Sequence, residues 1–199
     1  ADQIKKKYGK AKLITATNVF AHMSTLRDVI LGINELLTDD GLFVFENHYI
    51  IDFLKLNQYD SIYHEHIRSY SLTSLEYLFN LYNMKIIDAE IVERYNGTIQ
   101  VTVSKKNHII QNKSVKLILD NEKDFGLFNE NIWRKFSKDV FKTKRDLRKV
   151  LEEIKNDGKS IVGNSCPGRC STLLNFCDIG KELIPYIAEQ PSSFKLNKY

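Results

Sequence analysis

With 199 residues, 43% of them hydrophobic and 27% charged, the chain has material for one ordinary domain or parts of two, and it reads as soluble and globular. Its formal net charge of +4 suits an anionic small molecule, but the basic residues are spread along the chain, which argues against a nucleic-acid-binding stripe. No apolar run is long enough to span a bilayer and no signal peptide opens the chain; Cys166, Cys170 and Cys177 are odd in number and crowded together, so a reducing cytoplasm is expected over a disulfide framework.

The chain opens at Ala1 in a charged helical stretch, DQIKKKYGKAK, and stops at KLNKY soon after a new β-α unit begins, so a fragment is expected. LITATNVFAHM (13–23) starts as a β-leaning run and breaks at Asn18. STLRDVILGINELL follows with Leu26, Val29, Ile30, Ile33, Leu36 and Leu37 at helical spacing. Ser24 is the expected N-cap, and Gly41, after TDD, is expected in the left-handed position that ends the helix. GLFVFENHY is apolar almost throughout, as in a strand covered on both faces.

Strand, helix and strand in this order form one crossover unit of a parallel sheet. Such sheets take ligands beyond the carboxyl ends of their strands. Asn18 to His22, Glu46 to Tyr49, and the later YHEH stretch are thereby expected at one crevice. SLTSLEYLFNLYNM reads as a second amphipathic helix capped by Ser71 or Thr73, and KIIDAEIVERYNGTIQVTVSKK as two strands joined through Asn96-Gly97, a pair at the sheet's edge. Residues 105–157 read as a long connecting helix with Trp133, Phe136, Val140, Leu147, Val150, Leu151 and Ile154 on its apolar side. KSIVGN, SCPGRC and STLLNFCDI then read as strand, loop and helix.

Three groups of residues carry chemistry. In SIYHEHIRSYSL, His64 and His66 flank Glu65, with Tyr63 beside them. Histidine accepts and returns a proton near neutral pH, a carboxylate orients the ring, and tyrosine donates to a developing oxyanion, which are the parts needed to remove a proton next to a carbonyl. Solvent-facing or structural histidines are the competing reading. A metal site is not expected, because no cysteine lies near and His22 and His48 each stand alone.

GNSCPGRCS (163–171) approaches a phosphate-binding loop, but Arg169 replaces its lysine and Cys170 its magnesium-binding hydroxyl. Either the turn holds a phosphate through backbone N–H groups and Arg169, or its glycines serve the geometry alone. Asn18, Phe20 and His22, just beyond a strand end, are placed to touch a nucleoside cofactor; an ordinary loop leading into a helix is the alternative.

Taken together and in order, TNVFAH, GLFVFENHY, YDSIYHEHIRSYSLTSLEYLF and GNSCPGRCSTLLNFC resemble the S-adenosylmethionine-dependent sugar C-methyltransferases, which act on nucleotide-linked keto-deoxysugars. The resemblance runs over nearly the whole chain, and YHEH with its SL-x-x-LE-x-LF helix is its most specific part. It implies the C-terminal half of a Rossmann-like methyltransferase domain, from its fourth strand, over 1–105, a connecting helical segment over 106–157 and the start of a second α/β domain over 158–199. A cysteine-rich zinc module and the glycine-rich donor loop would lie outside this chain, leaving a partial S-adenosylmethionine site at Asn18, Phe20 and His22 and an inactive fragment.

The resemblance also implies roles. His66 is the base, with His64 as the alternative, Glu65 is its polar partner, and Tyr63 positions sugar or enolate; Tyr49, Asn96, Gly163 and Arg169 contact substrate. The expected partner is a nucleotide-linked sugar, without nucleic acid, membrane or resident metal. A non-catalytic nucleotide or nucleotide-sugar binding module and a methyltransferase acting on oxygen are the alternatives. This chain departs from the family pattern at His48, where proline is frequent, at Tyr95-Asn96-Gly97-Thr98, at Gln100, where arginine is frequent, and at GNSCPG.

Overall fold

The structure, a computed structural model, describes residues 1–94, 97–105, 109–193 and 196. Contacts divide the chain into two compact units, Ala1–Leu56 with Glu65–Ile132, and Asn57–His64 with Trp133–Tyr199. The division falls inside YHEH, so Tyr63 and His64 belong to the second unit and Glu65 and His66 to the first.

In the first unit, helix α1 (Asp2–Tyr8) leads to strand β1 (Ala11–Thr17), helix α2 (Leu26–Leu36), strand β2 (Leu37–His48) and helix α3 (Ile50–Lys55). Helix α4 (Leu72–Asn80), strands β3 (Lys85–Val92) and β4 (Thr98–Ser104) and helix α5 (Lys113–Phe125) complete it. The sheet order is β1-β2-β4-β3, with β1 and β2 parallel and the other two pairs antiparallel. The crossover and the strand pair are therefore as the apolar patterns predicted. Of that pair, β3 forms the edge, while β4 lies inside, hydrogen-bonded to β2 and β3.

The core explains why GLFVF is so apolar. Phe43 and Phe45 alternate onto one face of β2 and meet Phe20 and Phe79, with Phe20 stacked on Phe45 at 4.8 Å between ring centroids and Phe45 5.4 Å from Phe79. All four rings are buried. Burying such a side chain is worth roughly 1.5–3 kcal/mol, so this cluster fixes how the 3₁₀ turn Phe20–His22 sits on the strand ends.

Helix ends differ from expectation in two places. Helix α2 starts after Thr25 without a side-chain cap, and Ser24 instead offers its carbonyl to Arg68. It ends directly into β2, so Gly41 lies within the strand and not at a left-handed cap. Its purpose is close approach: the β1–β2 register slips between Ala11 and Leu13, and a Cβ at Gly41 would lie 3.0 Å from Ala11 O and from the Leu37 and Thr38 side chains. By contrast, α4 has the expected cap, Ser71, whose hydroxyl accepts from Ser74 N at 3.0 Å.

The helical stretch expected over 105–157 is two helices, α5 and α6 (Glu130–Asn156), parted at Gly126, which takes the left-handed conformation (φ 75°). Val115 and Ile118 of α5 are buried, whereas Trp133 and Val150, expected on the apolar side of α6, are exposed. The second unit continues with β5 (Val162–Asn164), α7 (Cys170–Phe176) and β6 (Tyr186–Ala188), and β5 pairs with β6 in parallel. Among the described residues no helix is long and apolar enough to cross a membrane.

Candidate active site

The carboxyl ends of β1 and β2 gather the first unit's candidate side chains. Asn18 leaves β1 with positive φ (52°), and its N–H still donates to Glu46 O at 3.0 Å, extending the parallel ladder by one bond. Phe20 turns into the aromatic core, and His22, next but one in the chain, is exposed. The segment after the YHEH motif is tied down across these ends: Ile67 N donates to Ala21 O at 3.1 Å, the Arg68 guanidinium bonds the Met23 carbonyl, and Tyr70 Oη donates to Phe20 O at 3.2 Å.

The consequence is a cluster of three imidazoles. The His66 ring lies edge-on to His22, 4.8 Å between centroids, and edge-on to His48, at 5.3 Å. These residues come from the turn after β1, the end of β2 and the YHEH motif, so of the expected three segments the rings of His22, His48 and His66 meet in the first unit, while Tyr63 and His64 belong to the second. His48, which the sequence presented as isolated, is part of this cluster. Two-residue alternation along β2 puts His48 on the face of Glu46, the one signal that joins it to other polar residues.

Glu46 is buried, and a buried carboxylate needs partners. Its Oε1 accepts from Gln100 Nε2 at 2.8 Å and its Oε2 faces Arg94 Nη1 at 3.5 Å. Orphaned polar atoms concentrate in the same region: Asn18 Oδ1 and both Asn47 side-chain atoms are buried without a hydrogen-bond partner. Unmet buried polar atoms are costly unless a ligand or water meets them, so a polar ligand at these strand ends suits the residues present.

Tyr49 is buried, 5% exposed, with the carboxylate of Glu122 in α5 facing it. Burial first, and the Glu122 charge second, raise its ionisation far above that of a free phenol. Burial likewise pushes Tyr70 up to about 12. Glu122 is wholly buried, and its carboxylate accepts from Leu72 N, Thr73 N and Thr73 Oγ1, far back in the chain, so nothing local in the sequence singled it out.

The second unit joins two other predicted groups. Tyr63 packs on the GNSCPGRC turn, where a Cβ at Gly168 would lie 3.2 Å from its ring. Arg169 Nε donates to Asp60 Oδ2 at 2.7 Å, and Thr172 Oγ1 donates to Ile62 O at 3.1 Å. Gly163 lies in β5, so close to Ile187 that a Cβ would meet its Cγ1 at 2.8 Å. His64 is exposed. Asn96 lies outside the described residues. Among the described residues no group of three or more His, Cys, Asp or Glu side chains is arranged to hold a metal ion.

Two families of known proteins match the chain in succession, with a boundary between β3 and β4. A family described as a methyltransferase domain matches residues 1–89, and one described as a C-methyltransferase C-terminal domain matches residues 94–199. The first match and the mixed α/β sheet agree with a Rossmann-like methyltransferase fold. The chain is 30% identical over 190 residues to the C-methyltransferase NovU of Streptomyces niveus, covering 94% of this chain and 45% of that protein. It thus spans about half the length of this curated relative.

Proposed function

From the premise that this chain belongs to the C-methyltransferase family whose C-terminal domain matches it, we propose that it serves the methylation of a carbon atom in a nucleotide-linked keto-deoxysugar, with S-adenosylmethionine as donor. The observation that carries this reading is the seating of His66 between His22 and His48 at the carboxyl ends of β1 and β2.

The chemistry starts with a ketone, which acidifies the neighbouring C–H bond. His66 takes that proton, the C–H electrons pass into the carbonyl to give an enolate, and the enolate carbon then takes up the methyl group. His64 is the alternative base. S-adenosylmethionine supplies an electrophilic methyl group on a sulfonium sulfur. Asn18 and His22, after β1, are the residues assigned to hold it, with Phe20 anchoring their turn in the core. Glu65 is assigned to support the imidazolium formed when His66 is protonated. In the second unit, Tyr63, Gly163 and Arg169 are assigned to the nucleotide-sugar, Arg169 with its guanidinium oriented by Asp60.

The test uses the full-length protein, S-adenosylmethionine with a ¹³C-labelled methyl group, and a nucleotide-linked keto-deoxysugar. Carbon NMR of the product places the label. A methyl group on carbon supports the proposal. A methyl group on oxygen replaces it with an O-methyltransferase, and binding of the sugar nucleotide without any transfer replaces it with a binding module.

A further inference from the structure

We infer that His48 is a second catalytic residue, whose imidazole N–H donates a hydrogen bond to the ketone oxygen while the neighbouring carbon loses its proton. The inference rests on the assignment of His66 as the base and names the partner that this step needs.

When the C–H bond breaks, its proton goes to a ring nitrogen of His66 and its electron pair moves into the carbonyl, leaving negative charge on oxygen. A fixed donor aimed at such an oxygen is worth about 10²–10³-fold in rate. The oxygen and the acidic hydrogen are carried by adjacent carbons, so the donor must stand beside the base. His48 does so. Its ring lies 5.3 Å from that of His66, centroid to centroid, with the planes at 78°. Rings so spaced can reach neighbouring atoms of one small molecule, each at hydrogen-bonding distance. When the enolate carbon takes up the methyl group, the methyl–sulfur bond breaks with its electrons left on sulfur. The carbonyl re-forms, the bond from His48 weakens, and His66 releases its proton to water.

The placement of His48 is firm. It ends β2, a central strand, and the register pairs it with Thr98 of β4. Next to it, Tyr49 N donates to Gly97 O at 3.3 Å, and on the other side of the strand Asn18 N donates to Glu46 O at 3.0 Å. A donor held by such a strand needs no reorganisation when charge develops, which is what makes its bond effective. The ring itself is half-buried, sheltered from bulk water yet reachable by a ligand.

Neighbouring side chains suit the role less well. Glu46, on the same face of β2, is an acceptor, with Oε1 bonded to Gln100 and Oε2 facing Arg94. Asn47 is a buried donor, but alternation places it on the opposite face, with Phe43 and Phe45. Tyr70 Oη donates to Phe20 O. His22 is exposed and follows β1, where the methyl donor is assigned.

The test uses the full-length protein and a nucleotide-linked keto-deoxysugar labelled with ¹³C at the ketone, without methyl donor. Isotope-edited infrared spectroscopy reads the polarisation of the bound carbonyl, and solvent-deuterium exchange reads the loss of its neighbouring proton. His48→Phe, a ring without N–H, is expected to raise the carbonyl stretch and to slow exchange by about 10²–10³-fold. His48→Gln, which keeps an N–H donor, should restore most of both. If His48→Phe does not fold, ¹⁵N NMR of the parent decides: the His48 ring resonances should move when the sugar nucleotide binds, and unmoved resonances overturn the inference.

An unchanged stretch and an unchanged exchange rate in His48→Phe overturn it, as does a loss of thermal stability alone. So does a stretch that rises in Tyr63→Phe and not in His48→Phe, which transfers the role to Tyr63. His66→Ala separates the base assignment: undiminished exchange there removes His66 as base, while the carbonyl stretch still decides the role of His48. No exchange in the parent overturns both.

Discussion

Substituting Gly97 by alanine tests how tightly the turn before β4 is built against α3. Gly97 has φ +118°, and an added Cβ would overlap Asp52, lying 2.5 Å from Oδ2, 2.7 Å from Cγ and closer still to Cβ. The Asp52 Cβ is fixed to the α3 backbone and cannot swing aside, so the helix or the turn must shift. Left-handed backbone at a non-glycine residue costs roughly 1–2 kcal/mol, and overpacking roughly 1–3 kcal/mol. The sum is about 3 kcal/mol, equivalent to a rise of about 150-fold in local opening. The same turn supplies Gly97 O to Tyr49 N at 3.3 Å, so the disturbance reaches the end of β2. Amide hydrogen exchange read by mass spectrometry over 45–56 and 97–104 measures this opening directly. In the background of Asp52→Gly, which deletes the overlapping Cβ, Gly97→Ala should cost only the backbone part, about 1–2 kcal/mol. Exchange rates within threefold of the parent in the single variant would refute this account of the turn.

Three further outcomes follow from the packing. The Tyr70 hydroxyl is raised from 10.0 to about 12 by burial, so its neutral form favours the fold: this stability is complete below pH 10 and is lost as pH rises towards 12. Denaturant midpoints should therefore fall across that window, and Tyr70→Phe should flatten the fall. Phe20→Ala removes the ring that stacks on Phe45 and should cost about 3–5 kcal/mol, visible as lost exchange protection over 43–45. Arg169→Ala breaks the 2.7 Å contact between the half-exposed Arg169 and Asp60 and should cost about 1 kcal/mol or less, with faster exchange confined to 57–64; a larger effect on β2 would contradict that assignment.

Local patterns were the readable part of this sequence. GLFVFENHY announced a buried strand because its apolar residues pack in both directions, and Ser71 announced a helix start because a hydroxyl there meets an orphaned N–H. Gly41 misled for the opposite reason: a glycine after a helical run looks the same whether it supplies a left-handed cap or room for a neighbouring strand, and only the slipped register beside Ala11 distinguishes them. The apolar spacing across 105–157 continued through Gly126, so the break into two helices was hidden by a pattern that both helices share.

The site divides in the same way. Residue types in YHEH spoke for proton transfer before any fold was considered, whereas the trio His22, His48 and His66 exists only because a parallel crossover and the aromatic core bring three distant segments together. Glu122 is further still from local inference, since its side-chain bonds come from Leu72 and Thr73, about fifty positions earlier. In composition it was one acid among many on an amphipathic helix.

The central claim is that His66 removes a proton from carbon. Solvent-deuterium exchange into a nucleotide-linked keto-deoxysugar, with the full-length protein and no methyl donor, isolates that step from methyl transfer. The account predicts exchange at the carbon beside the ketone, slowed by about 10²–10⁴-fold in His66→Ala. Exchange that persists undiminished in His66→Ala would contradict it and transfer the base role to another residue.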